Sequence, residues 1–197
     1  MSELEQMAGN SGTVPSPPGK DSQSGGTMLP DLRSWARDLG ISLVLAGIVI
    51  VFLYQPVKVE GTSMMPRLVD QERIFINKFV YQLEPVHRGD VVVFRYPFDP
   101  AKSYIKRVVG LPGETVRLVN GTVFINGRKL EERYVGDEFR DRQSHAPLVI
   151  PPDQYYVLGD RRNSSNDSRV WGPVPQQYIY GKAVFAYWPM DRLGFLP

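Results

Sequence analysis

Residues 39–57 read LGISLVLAGIVIVFLYQPV, nineteen in succession without a charge. At ~1.5 Å per residue a helix of that length covers about the ~30 Å of a hydrocarbon core. The expectation is one transmembrane α-helix over 39–57, within a juxtamembrane and membrane segment 31–57 whose helix starts near Pro30, Asp31 and Leu32. The competing reading is a buried core helix, because the apolar heart, residues 39–54, is only sixteen long. A cleaved leader fits less well, since a long region precedes the run and no small-x-small site follows Tyr54. Arg33 and Arg37 precede the run and Lys58 follows it, which by the positive-inside rule favours a cytoplasmic N-terminus and places residues from 58 onward outside.

Ahead of that segment, residues 10–27 contain eleven Ser, Gly or Pro among eighteen, too little apolar surface to offset the entropy of ordering. Residues 1–30 are therefore expected to be a disordered cytoplasmic tail.

Beyond it the patterning changes to strands. ERIFINKFVY alternates apolar and polar residues, GDVVVFRY is a Val/Phe run after a Gly-Asp turn, and ETVRLVNGTVFINGRKL holds two Asn-Gly pairs suited to tight hairpins. YYVLGD and YIYGKAVFAYWP add two more strands, and no long amphipathic helix follows residue 58. The fold class expected is mainly β: an antiparallel domain over 58–197, with a small hairpin insertion near 114–150, preceded by one membrane helix.

The residue inventory removes several chemistries. The chain has no cysteine, so a disulfide framework, a thiolate metal site and a cysteine nucleophile are all excluded. Its two histidines, His87 and His145, lie in no metal-ligand spacing, which argues against a metal enzyme. A Ser-His-Asp triad would have to use one of them, and the charged segment around His145 offers no evident orienting partner. A formal net charge of +2 is too small to make nucleic acid a default partner. Covalent catalysis would fall to Ser, Thr, Lys or a carboxylate.

Ser63, in EGTSMMPRLVDQERI, reads equally as a turn residue or a nucleophile. As a nucleophile it needs a base, and a neutral lysine serves when burial lowers its pKa from ~10.4. Lys106, in SYIKRVVGLPGE, is the best candidate: Tyr104 and Lys106 share one strand face, and Val108 and Val109 mark a core strand. The bland alternative is an exposed edge lysine, or one whose stem covers apolar surface while its head reaches water. Ser103-Tyr104-Ile105-Lys106 also spells S-x-x-K, but that motif works on a helix, whereas in a strand positions three apart face opposite ways. The stretch VLGDRRNSSNDSRVWGPV is either a solvated loop or a hydrogen-bond network that orients a nearby group.

Taken in order, GTSMMPRL, RGDVVVFRYP, YIKRVVGLPGE and GDRRNSSNDSRVWG, behind a single anchor, resemble type I signal peptidase, a membrane-anchored Ser/Lys protease. The resemblance runs from about Val57 to Pro189. It implies Ser63 as nucleophile, Lys106 as general base, Ser165 as the serine that hydrogen-bonds the lysine, Asp167 and Arg169 as the pair holding the site, and Asp160 and Arg162 as further structural charges. It departs from the best-known Gram-negative form at Gly61, where a serine hydroxyl would assist the oxyanion hole, leaving the Ser63 N–H, with Thr62 or a water. Only about forty residues separate GLPGE from YYVLGD, so the accessory lobe of larger relatives is reduced.

The same resemblance implies removal of signal peptides from exported preproteins after small-x-small, Ala-x-Ala-like sites. The substrate would lie extended along a strand edge, with Val57, Val59, Met64, Ile74, Tyr104 and Ile105 as pocket walls. No cofactor and no metal are implied; the partners are preprotein signal peptides and membrane lipid, with no nucleic acid, and the enzyme is a monomer. The location implied is the cell membrane, single-pass, with the N-terminus cytoplasmic and the catalytic domain outside; a photosynthetic cell would add the thylakoid membrane, which no residue here indicates. AYWPMDRLGFLP either touches the bilayer or contributes Tyr187 and Trp188 to the core. Two rivals remain: a repressor-type Ser/Lys self-cleaving domain, and a non-enzymatic tethered β domain that binds peptide or sugar.

Overall fold

The computed structural model describes residues 32–196. The expected tail, 1–30, lies outside the described residues. The first helix, α1, spans Leu32–Leu53 and passes directly into a strand, β1, at Tyr54–Lys58. The uncharged run 39–57 is thus helical only as far as Leu53. Pro56 explains the change: it has no N–H for a helix, and it disfavours helical geometry at Gln55 before it. Instead residues 54–58 pair antiparallel with β2, Arg73–Asn77. Leu43, Val44 and Leu45, and then Ile48, Val49 and Ile50, point in successive directions about 100° apart, and all six are exposed. The fifteen uncharged helical residues, 39–53, rise only about 22 Å. Among the described residues no helix is long and apolar enough to cross a membrane.

The chain divides between Ile41 and Ser42, within α1, into two units. The second is built on antiparallel sheet. Its further strands are β3 (Val91–Tyr96), β4 (Asp99–Gly110), β5 (Thr115–Val119), β6 (Thr122–Ile125), β7 (Arg128–Lys129), β8 (His145–Val149), β9 (Gln154–Leu158), β10 (Val174–Pro175), β11 (Ile179–Trp188) and β12 (Gly194–Phe195). The large sheet runs β1-β2-β11-β3-β4-β9-β10, with β12 also on β11; the small one runs β7-β6-β5-β8. The hairpins β5–β6 and β6–β7 turn at Asn120-Gly121 and Asn126-Gly127, all four residues having positive φ as a tight hairpin requires.

The alternation in ERIFINKFVY carries only β2. Asn77 Oδ1 then accepts hydrogen bonds from the N–H groups of Phe79 (2.9 Å) and Val80 (3.1 Å). That local bond competes with the strand and starts a short helix, α2, at Val80–Leu83. A third short helix, α3, covers Ser168–Trp171.

Strand parity distributes the core over both faces of the large sheet. Val91 and Val93 pack with Met64, Ile74, Ile76 and Ala183, while Val92 and Phe94 pack with Val108, Val157, Trp171 and Val174. Each fully buried Val, Ile or Phe contributes about 1.5–3 kcal/mol relative to exposure. Val116, Leu118, Val123 and Ile125 of the small sheet close a third cluster with Val109, Tyr156 and Leu158. The C-terminal aromatic segment divides: Tyr187 stacks on Phe75 at 4.5 Å, whereas Trp188, Met190 and Phe195 are exposed.

Two features of this topology frame the functional site. β9 pairs with β4 only from Arg107 to Gly110, so the outer edge of β4 before Arg107 has no strand beside it among the described residues. β1, at the end of the sheet, also has one edge without a strand beside it among the described residues.

Candidate active site

Ser63 stands in the turn that follows β1. Hydrogen bonds from Met65 N to Thr62 O (3.2 Å) and from Leu68 N to Met64 O (2.9 Å) fold the turn. Met64, 2% exposed, anchors it in the core. Gly61 has φ +93°, a conformation strained for any side chain, and its N–H donates to Asp70 Oδ1 at 2.7 Å. A serine at this position would therefore disturb the turn, which gives a local reason for the glycine.

Lys106 lies opposite Val92 in the β3–β4 ladder and is 4% exposed. Its Nζ is 2.7 Å from Ser63 Oγ and 3.1 Å from the Ile105 carbonyl oxygen. Burial lowers its pKa to about 8; Asp167 and Asp160 act in the opposite direction, and Arg169 adds to the lowering. At that value about one lysine in ten is neutral at pH 7. A neutral amine at hydrogen-bond distance from a hydroxyl can accept its proton and leave an activated oxygen.

The residues around the pair come from one loop, 159–169. Gly159 opens it: a Cβ there would lie 2.2 Å from Ser165 Oγ and 2.6 Å from the Ser63 carbonyl oxygen, so only glycine lets the loop and the turn meet. Arg161 N also donates to that carbonyl at 3.0 Å. Asp167 caps α3 by accepting from Arg169 N, and its carboxylate also takes the Gly159 N–H (3.1 Å) and two bonds from the Arg169 guanidinium (2.8 and 2.7 Å). Arg169 binds a second carboxylate, Asp141.

The other two buried charges of the loop are not paired with each other. Asp160 holds Arg107 in a bidentate pair (2.8 and 2.7 Å), and Arg107 also donates to Gly89 O. Arg162 is bound by Glu132 and donates Nε to Gly159 O at 2.9 Å. Burial opposes the Arg162 charge, but the Glu132 hydrogen bonds outweigh it and its pKa is raised. The Ser165 hydroxyl is buried and has no hydrogen-bond partner among the described residues, so the bond to Lys106 implied by the resemblance is not formed here. Arg107, Glu132 and Asp141 escape sequence reading. A second cation beside Lys106 in a core strand is a local signal for Arg107; Glu132 and Asp141 sit in charged stretches that look solvated.

Beside Ser63 and Lys106 opens a cleft of about 330 Å³, between Val57–Gly61 and Ser103–Lys106. Val57, Val59, Met64, Tyr104 and Ile105 line it as expected from sequence. Ile74 does not: it lies on the same sheet face as its cross-strand partner Val57 but is fully buried beneath the cleft, in the cluster around Met64 and Val91. Val93, Asn166 and Tyr180 complete the lining. Neither histidine borders the cleft. Among the described residues no group of three or more His, Cys, Asp or Glu is placed to hold a metal ion.

This geometry can be set beside known proteins. A family model described as signal peptidase, peptidase S26, matches residues 32–188. Signal peptidase I of Leptolyngbya laminosa is 38% identical over 195 residues, covering 95% of both chains. Signal peptidase I P of Bacillus subtilis subsp. natto is 35% identical over 172 residues, 83% of this chain and 92% of the relative. Signal peptidase I of Bacillus amyloliquefaciens is 36% identical over 168 residues, 81% of this chain and 89% of the relative. The matched span takes in the Ser63 turn, the Lys106 strand and the loop 159–169 together, and the chain belongs to the signal peptidase family, peptidase S26.

Proposed function

We propose that this protein is a type I signal peptidase, a serine endopeptidase that removes N-terminal signal peptides from exported preproteins with Ser63 as nucleophile and Lys106 as general base. The observation that carries this reading is the 2.7 Å contact between Lys106 Nζ and Ser63 Oγ, formed by a lysine almost wholly removed from water.

The substrate lies extended in the cleft between the free edges of β1 and β4. Small side chains before the cut fill the shallow space walled by Val57, Val59, Met64, Tyr104 and Ile105. Lys106, neutral, takes the Ser63 proton as Oγ attacks the scissile carbonyl. The proton passes to the leaving amine and an acyl-enzyme remains. Water then gives a proton to Lys106 as its oxygen bonds to the acyl carbon; the bond to Ser63 Oγ breaks, Lys106 returns the proton to that oxygen, and the signal segment leaves with a new carboxylate. The Ser63 N–H, beside Gly61, faces the developing oxyanion. Asp167 with Arg169, and Asp160 and Arg162 through their own partners, hold the loop against the pair; Ser165, whose buried hydroxyl has no partner among the described residues, is the serine assigned to bond Lys106. No cofactor, metal or nucleic acid takes part, and one chain suffices.

Residues 58–197 form the extracytoplasmic catalytic domain, and 1–30 the cytoplasmic tail. The segment 31–57 anchors the enzyme. The support for anchoring is the apolar surface exposed all round α1, which water does not tolerate over such a length. Arg33 and Arg37 extend its reach by sending their charges toward the headgroups, and Trp35 and Tyr54 suit the interfaces. An anchor shared with the substrate's own membrane raises the effective concentration of the two.

Cleavage of a preprotein carrying an Ala-x-Ala site by the detergent-solubilised full chain tests this reading. Cleavage at that bond by the wild type, lost in both Ser63→Ala and Lys106→Ala, is expected. Undiminished cleavage in Lys106→Ala would refute the dyad, and cleavage confined to the chain itself would favour a self-cleaving domain.

A further inference from the structure

The segment between β7 and β8 is not part of any strand, yet it meets the loop 159–169 at four separate places. Glu132 binds the Arg162 guanidinium through both carboxylate oxygens, each side chain only 2% exposed. The Arg161 guanidinium lies 5.8 Å from the centre of the Phe139 ring. Asn163 Nδ2 donates to Glu138 O at 2.8 Å. Asp141 binds Arg169 on the nitrogen that Asp167 leaves free.

The same segment also reaches the strand that carries the lysine. The Tyr134 hydroxyl donates to Glu132 Oε1 at 3.0 Å, and its ring lies 4.3 Å from the Arg107 guanidinium carbon, next in sequence to Lys106. Burial and the Glu132 carboxylate both raise the Tyr134 pKa, so the phenol remains a donor.

These contacts continue inward without a gap. From Glu132 the path runs through Arg162 to Gly159 O, and from Gly159 N to Asp167. From Asp141 it runs through Arg169 to Asp167 and to the Ser165 carbonyl. Gly159 in turn borders Ser63 O, and Asp167, Asp160 and Arg169 are the charges that act on Lys106. A carboxylate removed from this outer position leaves its arginine held from the loop side alone, Arg169 by Asp167 and Arg162 by the Gly159 carbonyl, and cuts one tie between the loop and the segment.

We propose that residues 130–141 form a strap that positions the catalytic loop, with Glu132 and Asp141 as positioning residues for the reaction of Ser63 and Lys106. The inference rests on the dyad reading above. It assigns the small sheet a role in catalysis: β5–β8 hold the ends of the strap, and the strap holds the geometry of the lysine. A segment that merely stabilised the fold would leave turnover intact wherever the protein stays folded.

The test uses the full chain in detergent, with a preprotein substrate, and compares Asp141→Asn, Glu132→Gln and Tyr134→Phe with the wild type and Ser63→Ala. Folding is checked by circular dichroism, and kcat, KM and the pH profile of kcat/KM are measured for every folded variant. Asp141→Asn is expected to lower kcat roughly tenfold, with KM within about twofold. Its acid limb should move to lower pH, because Arg169, with one carboxylate fewer, disfavours the charged form of Lys106 more strongly. Tyr134→Phe, which removes one hydroxyl, should lower kcat by a smaller factor and keeps the test decisive if Glu132→Gln does not fold. Folded Asp141→Asn and Tyr134→Phe with wild-type kcat and unmoved limbs would overturn the strap. Cleavage surviving in Ser63→Ala would overturn the dyad on which it rests, a separate and distinguishable failure.

Discussion

Lys106 Nζ and Ser63 Oγ are 2.7 Å apart across a separation of 43 residues, and the lysine is 4% exposed. Removing either partner removes the proton transfer. Lys106→Ala should lower kcat/KM about 10²- to 10⁴-fold, the range of a positioned base. Ser63→Ala should leave no acyl-enzyme detectable by mass spectrometry of the intact protein, and an acyl adduct in that variant would count against the assignment.

Because burial sets the Lys106 pKa at about 8, activity should climb with pH through that value. Below it, kcat/KM should rise about tenfold per pH unit, since the neutral amine is the active form. A rate profile flat between pH 6 and 9 would contradict a lysine base with this pKa.

The same burial has a cost in stability, with a definite sign. The folded pKa of about 8 lies below the ordinary 10.5, so between these values the unfolded chain holds more protons and stability rises with pH. Below about 8 the cost is present in full. Lys106→Met should therefore be inactive yet more stable than wild type near pH 7, by on the order of 3 kcal/mol, with the advantage fading toward pH 10. Urea denaturation at several pH values measures the difference.

Gly159→Ala places a methyl group 2.2 Å from Ser165 Oγ and 2.6 Å from the Ser63 carbonyl oxygen. The overpacking should cost about 1–3 kcal/mol and separate the loop from the turn. The expected result is a folded protein with kcat reduced far more than the stability change alone would produce.

Asp160→Asn leaves Arg107 in the interior without a full counter-charge. Breaking a buried pair from one side costs about 3–5 kcal/mol. Replacing both partners, as Arg107→Met with Asp160→Leu, should recover much of that stability, which a thermal melt would detect.

Much of this organisation can be read from sequence, for identifiable reasons. Lys106 stands out because a lysine in a strand that runs into core valines is unusual, although an exposed edge lysine fits the same residues; the Asn-Gly pairs predict hairpins because few residues tolerate their backbone geometry. Ile74 shows where alternation stops being informative: parity says which face is inward, but the cleft and the core both lie inward. The end of α1 is encoded by Pro56, yet an uncharged run conceals it. The partners of the buried arginines lie beyond local patterning: Arg107 reaches Asp160 across 53 residues, Arg162 reaches Glu132 across 30 and Arg169 reaches Asp141 across 28. At such separations no spacing distinguishes a carboxylate that enters the interior from one that stays in water.

The direct passage from Leu53 in α1 to Tyr54 in β1 leaves no slack between the helix and the strand that leads to Ser63. β1 is stitched to β2 along its whole length, so it acts as a rigid strut, and at ~3.3 Å per residue its five residues give about 17 Å of fixed reach. The ten residues that follow Leu53, up to Ser63, thus begin with a paired strand rather than a loose linker, and the place of the Ser63 turn relative to the end of α1 is set by the number of residues in that strand.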